Sequence, residues 1–438
     1  MSRSLRNGIF VGIAFLLGSI NVLYHSVFYA LLVVALVLNL IADWNGFWQE
    51  ARRHRNYLLL PVIGVIYLCI HYLLSLCWGG LPYKASWSTV ELLMLYFFFI
   101  PVYVVSMKKW ITVSLLKCFL LALCWGILVF NAVKFFYITG TGIFTDFSGT
   151  LQMIYATRFG SNMELLKGFV LLEPQAFYLT VSGIVSYFYL LHCVWVRTGR
   201  ATFISCLIIF IFSLLFLSFT VTRASILAFG AGFCLLSAVF LWKFSFRQRI
   251  IFLGGILFLL ISAYWGAPAS FKLRMQEMKA DIATLAEGEI LAGGTVAPRM
   301  AMWTEDFARF KEWGLFGLGL YKKYGVREWY QQSQYTNITD LRNTHNSFLD
   351  FWILGGIPGL FFLCFYFFVP LWNMVKQRKY SILVIALIIA LVIANNTCLL
   401  IALMDSVPLI LFLFALFFFC LECFIQTEQK RRQTKSIV

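Results

Sequence analysis

The chain is short of charge. Only 12% of its 438 residues are Asp, Glu, Lys or Arg, with 19 acidic against 35 basic. A soluble domain covers itself with charged side chains, so that class is excluded. Histidine is scarce, with five in the whole chain. No Asp-x-Asp, His-Glu-x-x-His or Walker loop occurs, so the common metal and nucleotide motifs are missing. The adjacent pair Glu305-Asp306 would diverge on a helix, which argues against a shared metal. All eleven Cys lie in or at the ends of apolar segments, with no metal-type spacing and no disulfide framework. Packing within the core accounts for them.

What the chain has instead is apolar length. It is 61% hydrophobic and contains 46 Phe, which makes it an all-α polytopic membrane protein. A spanning helix needs about 20 mostly apolar residues. About twelve such stretches can be read: 8–22, 24–43, 57–77, 88–106, 112–132, 167–194, 201–219, 224–241, 250–266, 348–370, 381–400 and 407–424. The N-terminal stretch has the look of a signal sequence without a small-x-small cleavage site, so it is expected to stay as the first span.

Basic residues recur after every second span: Arg52, Arg53 and Arg55; Lys108 and Lys109; Arg197 and Arg200; Lys243, Arg247 and Arg249; Lys376, Arg378 and Lys379. The N-terminus adds Arg3 and Arg6, and the tail Lys430 to Lys435. Twelve spans place them all on one side, which is then cytoplasmic together with both termini. The net charge of +16 is therefore topology, and nucleic acid is excluded as a partner. The expected divisions are residues 1–266 as nine spans with an outer loop at about 133–166, then a large outer loop at 267–346. Spans ten to twelve follow at 347–424, and a cytoplasmic tail at 425–438.

The outer face carries the candidates for chemistry. The first outer loop holds Lys134, Asp146 and Arg158-Phe-Gly160, and re-enters the membrane at Glu173-Pro174-Gln175. Glu173 reads either as a helix-start carboxylate at the interface or as a functional charge kept from lipid. Arg223, in Thr220-Val-Thr-Arg-Ala-Ser225, lies in a very short outer turn, against the positive-inside bias. It either snorkels or binds an anion. In the large loop, 284–294 reads as a Gly-rich, acidic connector, and Thr295-Val-Ala-Pro298 reads as a helix start. That helix would align Arg299, Trp303, Asp306 and Phe310 on one side. The whole loop is expected to form a helical cap. Guanidinium forks bind phosphate oxygens bidentately, so Arg158, Arg223 and Arg299 together suit a lipid-borne pyrophosphate. His345 stands as the candidate general base, since imidazole near its usual pKa of about 6.5 removes a hydroxyl proton near neutrality. Asn346 and Asp350 are placed to orient it.

Three motifs in order carry a resemblance. Thr222-Arg223-Ala-Ser opens a span, and Arg299-x-x-x-Trp303 precedes a Gly-rich turn. His345-Asn346-x-x-Leu349 then leads to Gly356-x-Pro-Gly359. Over about 155–375 this resembles the O-antigen ligase and O-antigen polymerase superfamily. The resemblance implies a GT-C-like fold with a periplasmic cap, in a bacterial inner membrane. It implies a glycosyltransferase needing neither metal nor cofactor. The donor implied is a glycan on undecaprenyl pyrophosphate, and the acceptor is a glycan or lipid A–core. A chain-length regulator protein and membrane lipid are further implied partners. It assigns the pyrophosphate to Arg223 and Arg299 and the base role to His345. Glu173-Pro-Gln-Ala-Phe177 resembles an element of the polymerases, which favours polymerase over ligase. A lipid-linked glycan transporter is the more distant alternative. It would be expected to carry charges or helix breaks at the midplane. Cytoplasmic reporters fused after Arg55, Lys109, Arg200 or Arg247 are expected to be active and periplasmic ones fused at Glu289 likewise; the opposite pattern would invert the topology.

Overall fold

The computed structural model describes residues 2–20, 24–59, 97–157, 172–196, 199–266, 297–318, 325–341, 344–397 and 407–434, with short pieces within 62–70, 164–169 and 276–283. Most of the expected third span, the first half of the fourth, Arg158 and the connector at 284–294 lie outside the described residues. The helices are α1 (Arg3–Ser19), α2 (His25–Ala42), α3 (Trp44–Arg53), α4 (97–107), α5 (Val113–Thr139), α6 (Phe147–Ala156), α7 (Leu172–Val196) and α8 (Arg200–Thr220). They continue as α9 (Arg223–Lys243), α10 (Phe246–Gly266), α11 (Ala297–Ala308), α12 (Gly325–Gln331), α13 (Ser347–Gln377), α14 (Ile382–Thr397), α15 (Val407–Phe419) and α16 (Leu421–Thr434). The fold is all-α and polytopic. The one described ladder pairs Glu164–Leu165 with Gly168–Phe169, two residues a side.

Among the described residues, α5, α7, α8, α9 and α13 are each long and apolar enough to cross a membrane. Two bent pairs add up to two more: α2 with α3, at 101°, and α15 with the start of α16, at 76°. Both bends depart from the sequence reading, which expected a loop after Asp43 and one continuous last span. At the first bend Asp43 accepts from the Gly46 amide at 3.1 Å, which starts a new helix where the apolar run ends. In α3, Trp44 and Trp48 are exposed and Arg52 and Arg53 fill the last turn. That suits a helix lying in an interface. The first outer loop also starts later than expected, because α5 runs on to Thr139.

The helices meet at two ends of different character. At one end Asp43 pairs with Arg6 and with Lys109, each at 3.6 Å. Glu428 pairs with Lys243 at 3.9 Å and accepts from Ser381 at 2.9 Å. His192 reaches the Thr427 carbonyl at 2.9 Å. The start of α1, the ends of α2, α7 and α9 and the start of α14 are thus gathered together, as an alternating path of spans requires. Helices α7 and α9 run parallel. Thr180 bonds the Ser225 carbonyl at 3.1 Å, and Lys243 lies 5.0 Å over the Trp195 ring. Glu173 and Arg223 therefore share the opposite end. His345 joins them there, since α14 starts at Ile382 beside Glu428 and carries Asn396 at its far end, 3.5 Å from Asn346.

Helix α13 is broken. Gly356 sits at φ 62°, ψ −160°, a backbone that only glycine adopts readily. The polar groups freed by the break are met by the cap. Leu318 N–H bonds the Ile353 carbonyl at 2.8 Å, and Ile357 N–H bonds the Leu315 carbonyl at 3.1 Å. Gly317, at φ 76°, lies against this same break, and a Cβ on either glycine would collide with the other segment's backbone. Trp352 closes the seam by donating to the Gly314 carbonyl at 2.9 Å. A separate small core, including Met302, Trp313, Trp329, Tyr330, Ile338, Leu349 and Ile353, packs the cap onto α13. Gly356→Ala and Gly317→Ala should each weaken this docking by more than the 1–2 kcal/mol cost of the left-handed backbone alone. Protease cleavage within the cap should quicken in both variants; unchanged protection would remove the seam from the account.

Candidate active site

The segment ending at His345 is wound tightly. Thr344 Oγ1 bonds Asp350 Oδ1 at 2.7 Å and the Asn346 carbonyl at 2.9 Å, and the Asn346 amide donates back to Thr344 Oγ1 at 3.1 Å. Asn346 Oδ1 accepts from Phe348 N–H and Leu349 N–H at 3.0 and 3.2 Å, capping α13. Between them His345 is held at φ 50°, a strained backbone for a residue other than glycine. Asn346 and Asp350 therefore orient the imidazole through the backbone of its turn. Such strain persists only where surrounding bonds over-determine it, and here they are present.

Helix α11 is docked on that turn by one bond. Trp303 Nε1 donates to the Thr344 carbonyl at 3.0 Å. Arg299 stands one turn earlier on the same side of α11. Trp303 thus sets Arg299 beside His345. The charge of Arg299 acts on the imidazole, as does that of Glu173 from the start of α7. Burial holds the His345 pKa below its usual value; Arg299 lowers it further, and Glu173 opposes both. The structure so brings together three of the residues singled out from sequence. Arg223 heads α9 at the same end of the bundle and is half-buried. It is presented by Val221, a β-branched residue at φ 50° and a second strained position. Arg158 lies outside the described residues.

One expected alignment is corrected. Helix α11 stops at Ala308, and Arg309 begins a new turn of helix at Phe310–Trp313. Phe310 therefore leaves the Arg299 side and packs on Trp313 and Trp352, at 5.2 and 5.6 Å between ring centres. Glu305 and Asp306 diverge as expected. Glu305 accepts from Ser333 at 2.9 Å and pairs with Arg309 at 3.3 Å. Asp306 turns inward, fully buried, with the Tyr330 hydroxyl 3.1 and 3.0 Å from its two oxygens.

Sequence reasoning missed the parts that hold the site. Trp303 was read only as one of a pattern, Thr344 not at all, and Tyr330 lay in a stretch without periodicity.

Fold and site define the class first: an all-α polytopic membrane protein with a polar, arginine- and histidine-bearing site where a cap meets one end of the helix bundle. Residues 208–364 match the family model described as O-antigen ligase, a stretch that contains Arg223, Arg299 and His345 but not Glu173. The match spans about a third of the chain and makes that stretch similar to the O-antigen ligase family. No curated protein matches the sequence.

Burial pushes the Asp306 carboxyl up to about 8, with the Asp350 and Glu305 charges adding to the effect and the Tyr330 bond opposing it. The folded pKa lies above that of an exposed carboxyl, about 3.9. This contribution to cap stability is therefore complete below about pH 4 and is lost as pH rises through about 8. Hydrogen exchange across α11 and α12 should therefore quicken from acid to alkaline pH in the wild type. Asp306→Asn, which keeps the bond to Tyr330, should flatten that dependence; a slope as steep as the wild type's would count against the buried acid.

Proposed function

We propose that the chain is a glycan polymerase of the outer membrane-face type. It transfers a glycan from undecaprenyl pyrophosphate to an acceptor sugar hydroxyl on the periplasmic side of a bacterial inner membrane. The observation that carries this reading is the meeting of His345, Arg299 and Glu173 at one end of the bundle, opposite the end that gathers the basic loops. His345 accepts the proton of the acceptor hydroxyl as its oxygen attacks the anomeric carbon. The bond from that carbon to the pyrophosphate oxygen breaks on the far side, which inverts the centre. The proton goes to the imidazole and the electron pair to the departing undecaprenyl pyrophosphate. Arg223 and Arg299, with Arg158 assisting, neutralise the charge that develops there, so this reading assigns no step to a metal. A low-lying imidazole pKa keeps the base form populated across the neutral range.

The family description names ligase, which supports the second reading: transfer of finished O-antigen to lipid A–core. The lipopolysaccharide of a deletion strain separates the two. Core bearing a single repeat indicates a lost polymerase, and bare core with accumulated lipid-linked polymer a lost ligase. A normal ladder removes both. His345→Ala should lower transfer by about 10²–10⁴-fold while the protein still accumulates in the membrane. Arg223→Lys and Arg299→Lys should each lower it by about 10²-fold, because a point charge cannot reproduce a fork. The acid limb of the rate–pH profile should move to lower pH in Glu173→Gln, which removes the charge that raises His345. It should move to higher pH in Arg299→Gln, which removes the charge that lowers it.

A further inference from the structure

Below the site lies a buried polar chain that none of the assigned roles uses. Lys134, in the last turns of α5, has no exposed surface. Its Nζ donates to Gln175 Oε1 at 2.6 Å. Gln175 Nε2 donates in turn to Asn131 Oδ1 at 2.6 Å, and Asn131 Nδ2 to the Ile127 carbonyl at 2.8 Å. Gln175 and Asn131 are each 1% exposed. An ionisable side chain sunk in an apolar bundle is costly, and such residues mark function more often than packing. Packing alone is served as well by a methionine of similar length, without a polar group to satisfy.

Gln175, the middle link of this chain, lies two residues from Glu173. The intervening Pro174 has a fixed φ and sits in the first turn of α7. Clamping both ends of the Gln175 amide to α5 therefore fixes the backbone that carries the Glu173 carboxylate. The charges acting on His345 include Arg299 from α11 and Glu173 from α7. Asp350, on the helix that His345 precedes, is bonded to Thr344. Of the two, Arg299 is fixed by Trp303, and Glu173 has the Gln175 clamp.

We propose that Lys134 is a positioning residue for the active site: through Gln175 it holds the first turn of α7 so that Glu173 faces His345. The proposal rests on the reading of His345 as the base, and its central test does not require that reading. The test is the titration of His345 followed by NMR in the full-length protein, labelled at histidine and held in nanodiscs. Glu173→Gln is the reference and should lower the His345 midpoint by about half a pH unit or more. Lys134→Met should lower it in the same direction, and Lys134→Arg, which keeps a donor, should stay nearer the wild type. Gln175→Met breaks the same clamp from the other side and serves where Lys134→Met does not accumulate as folded protein. A wild-type midpoint in Lys134→Met or Gln175→Met, with the reference shifted, overturns the proposal. Transfer assays with lipid-linked repeat unit extracted from deletion cells then separate the two layers. A shifted midpoint in Lys134→Met with wild-type transfer across pH leaves Lys134 positioning Glu173 but removes His345 as base. A shifted acid limb with KM unchanged supports both.

Discussion

The seam between the cap and the break in α13 is what the rest of the site depends on. A helix in an apolar bundle cannot leave its backbone groups open, because nothing in hydrocarbon satisfies them. The break at Gly356 frees an N–H and a carbonyl, and the Leu315–Leu318 segment supplies the partners for both. This makes the cap part of the bundle's own hydrogen bonding. Without it, α11 would have only the Trp303 bond and side-chain packing to locate Arg299.

Strain sits where this frame is stiffest. His345 and Val221 both adopt left-handed backbone; the first is itself a residue of the candidate site and the second stands two residues before Arg223. Around His345 the cost is offset by Thr344, Asn346 and Asp350, whose short bonds leave the turn no alternative. Val221 ends α8 so that α9 begins after one more residue, which keeps Arg223 at the end of the bundle. A looser turn there would let the arginine drift to the interface, where snorkelling is its low-energy state.

The two ends of the bundle use charge differently. At the end that gathers the basic loops, basic groups pair with carboxylates: buried Arg6 and exposed Lys109 with Asp43, and half-buried Lys243 with Glu428. At the other end Asp306 is buried under Tyr330 and Lys134 against Gln175, while His345 is half-buried and feels the charges of Arg299 and Glu173. Low polarity there lengthens the reach of each charge, which is what an enzyme site needs and a topological signal does not.

The sequence by itself determined the class, all-α and polytopic, and pointed to Arg299, Glu173 and His345 as residues worth watching. Those features follow from local rules: apolar length, charge asymmetry and helical periodicity act within a few turns. Arg223 was legible for the same reason, as a charge where lipid would not tolerate one. What only the tertiary structure decided is which of these residues meet, and by what means. The Trp303 bond to Thr344, the glycine seam at Gly356 and the Lys134–Gln175–Asn131 chain each join segments 40 or so residues apart or more. The bends at Asp43 and Cys420 were hidden too, since an apolar run reads the same whether its axis continues or turns. Contacts of that range leave no periodic mark on the chain, because either partner taken alone is an ordinary indole, glycine or lysine.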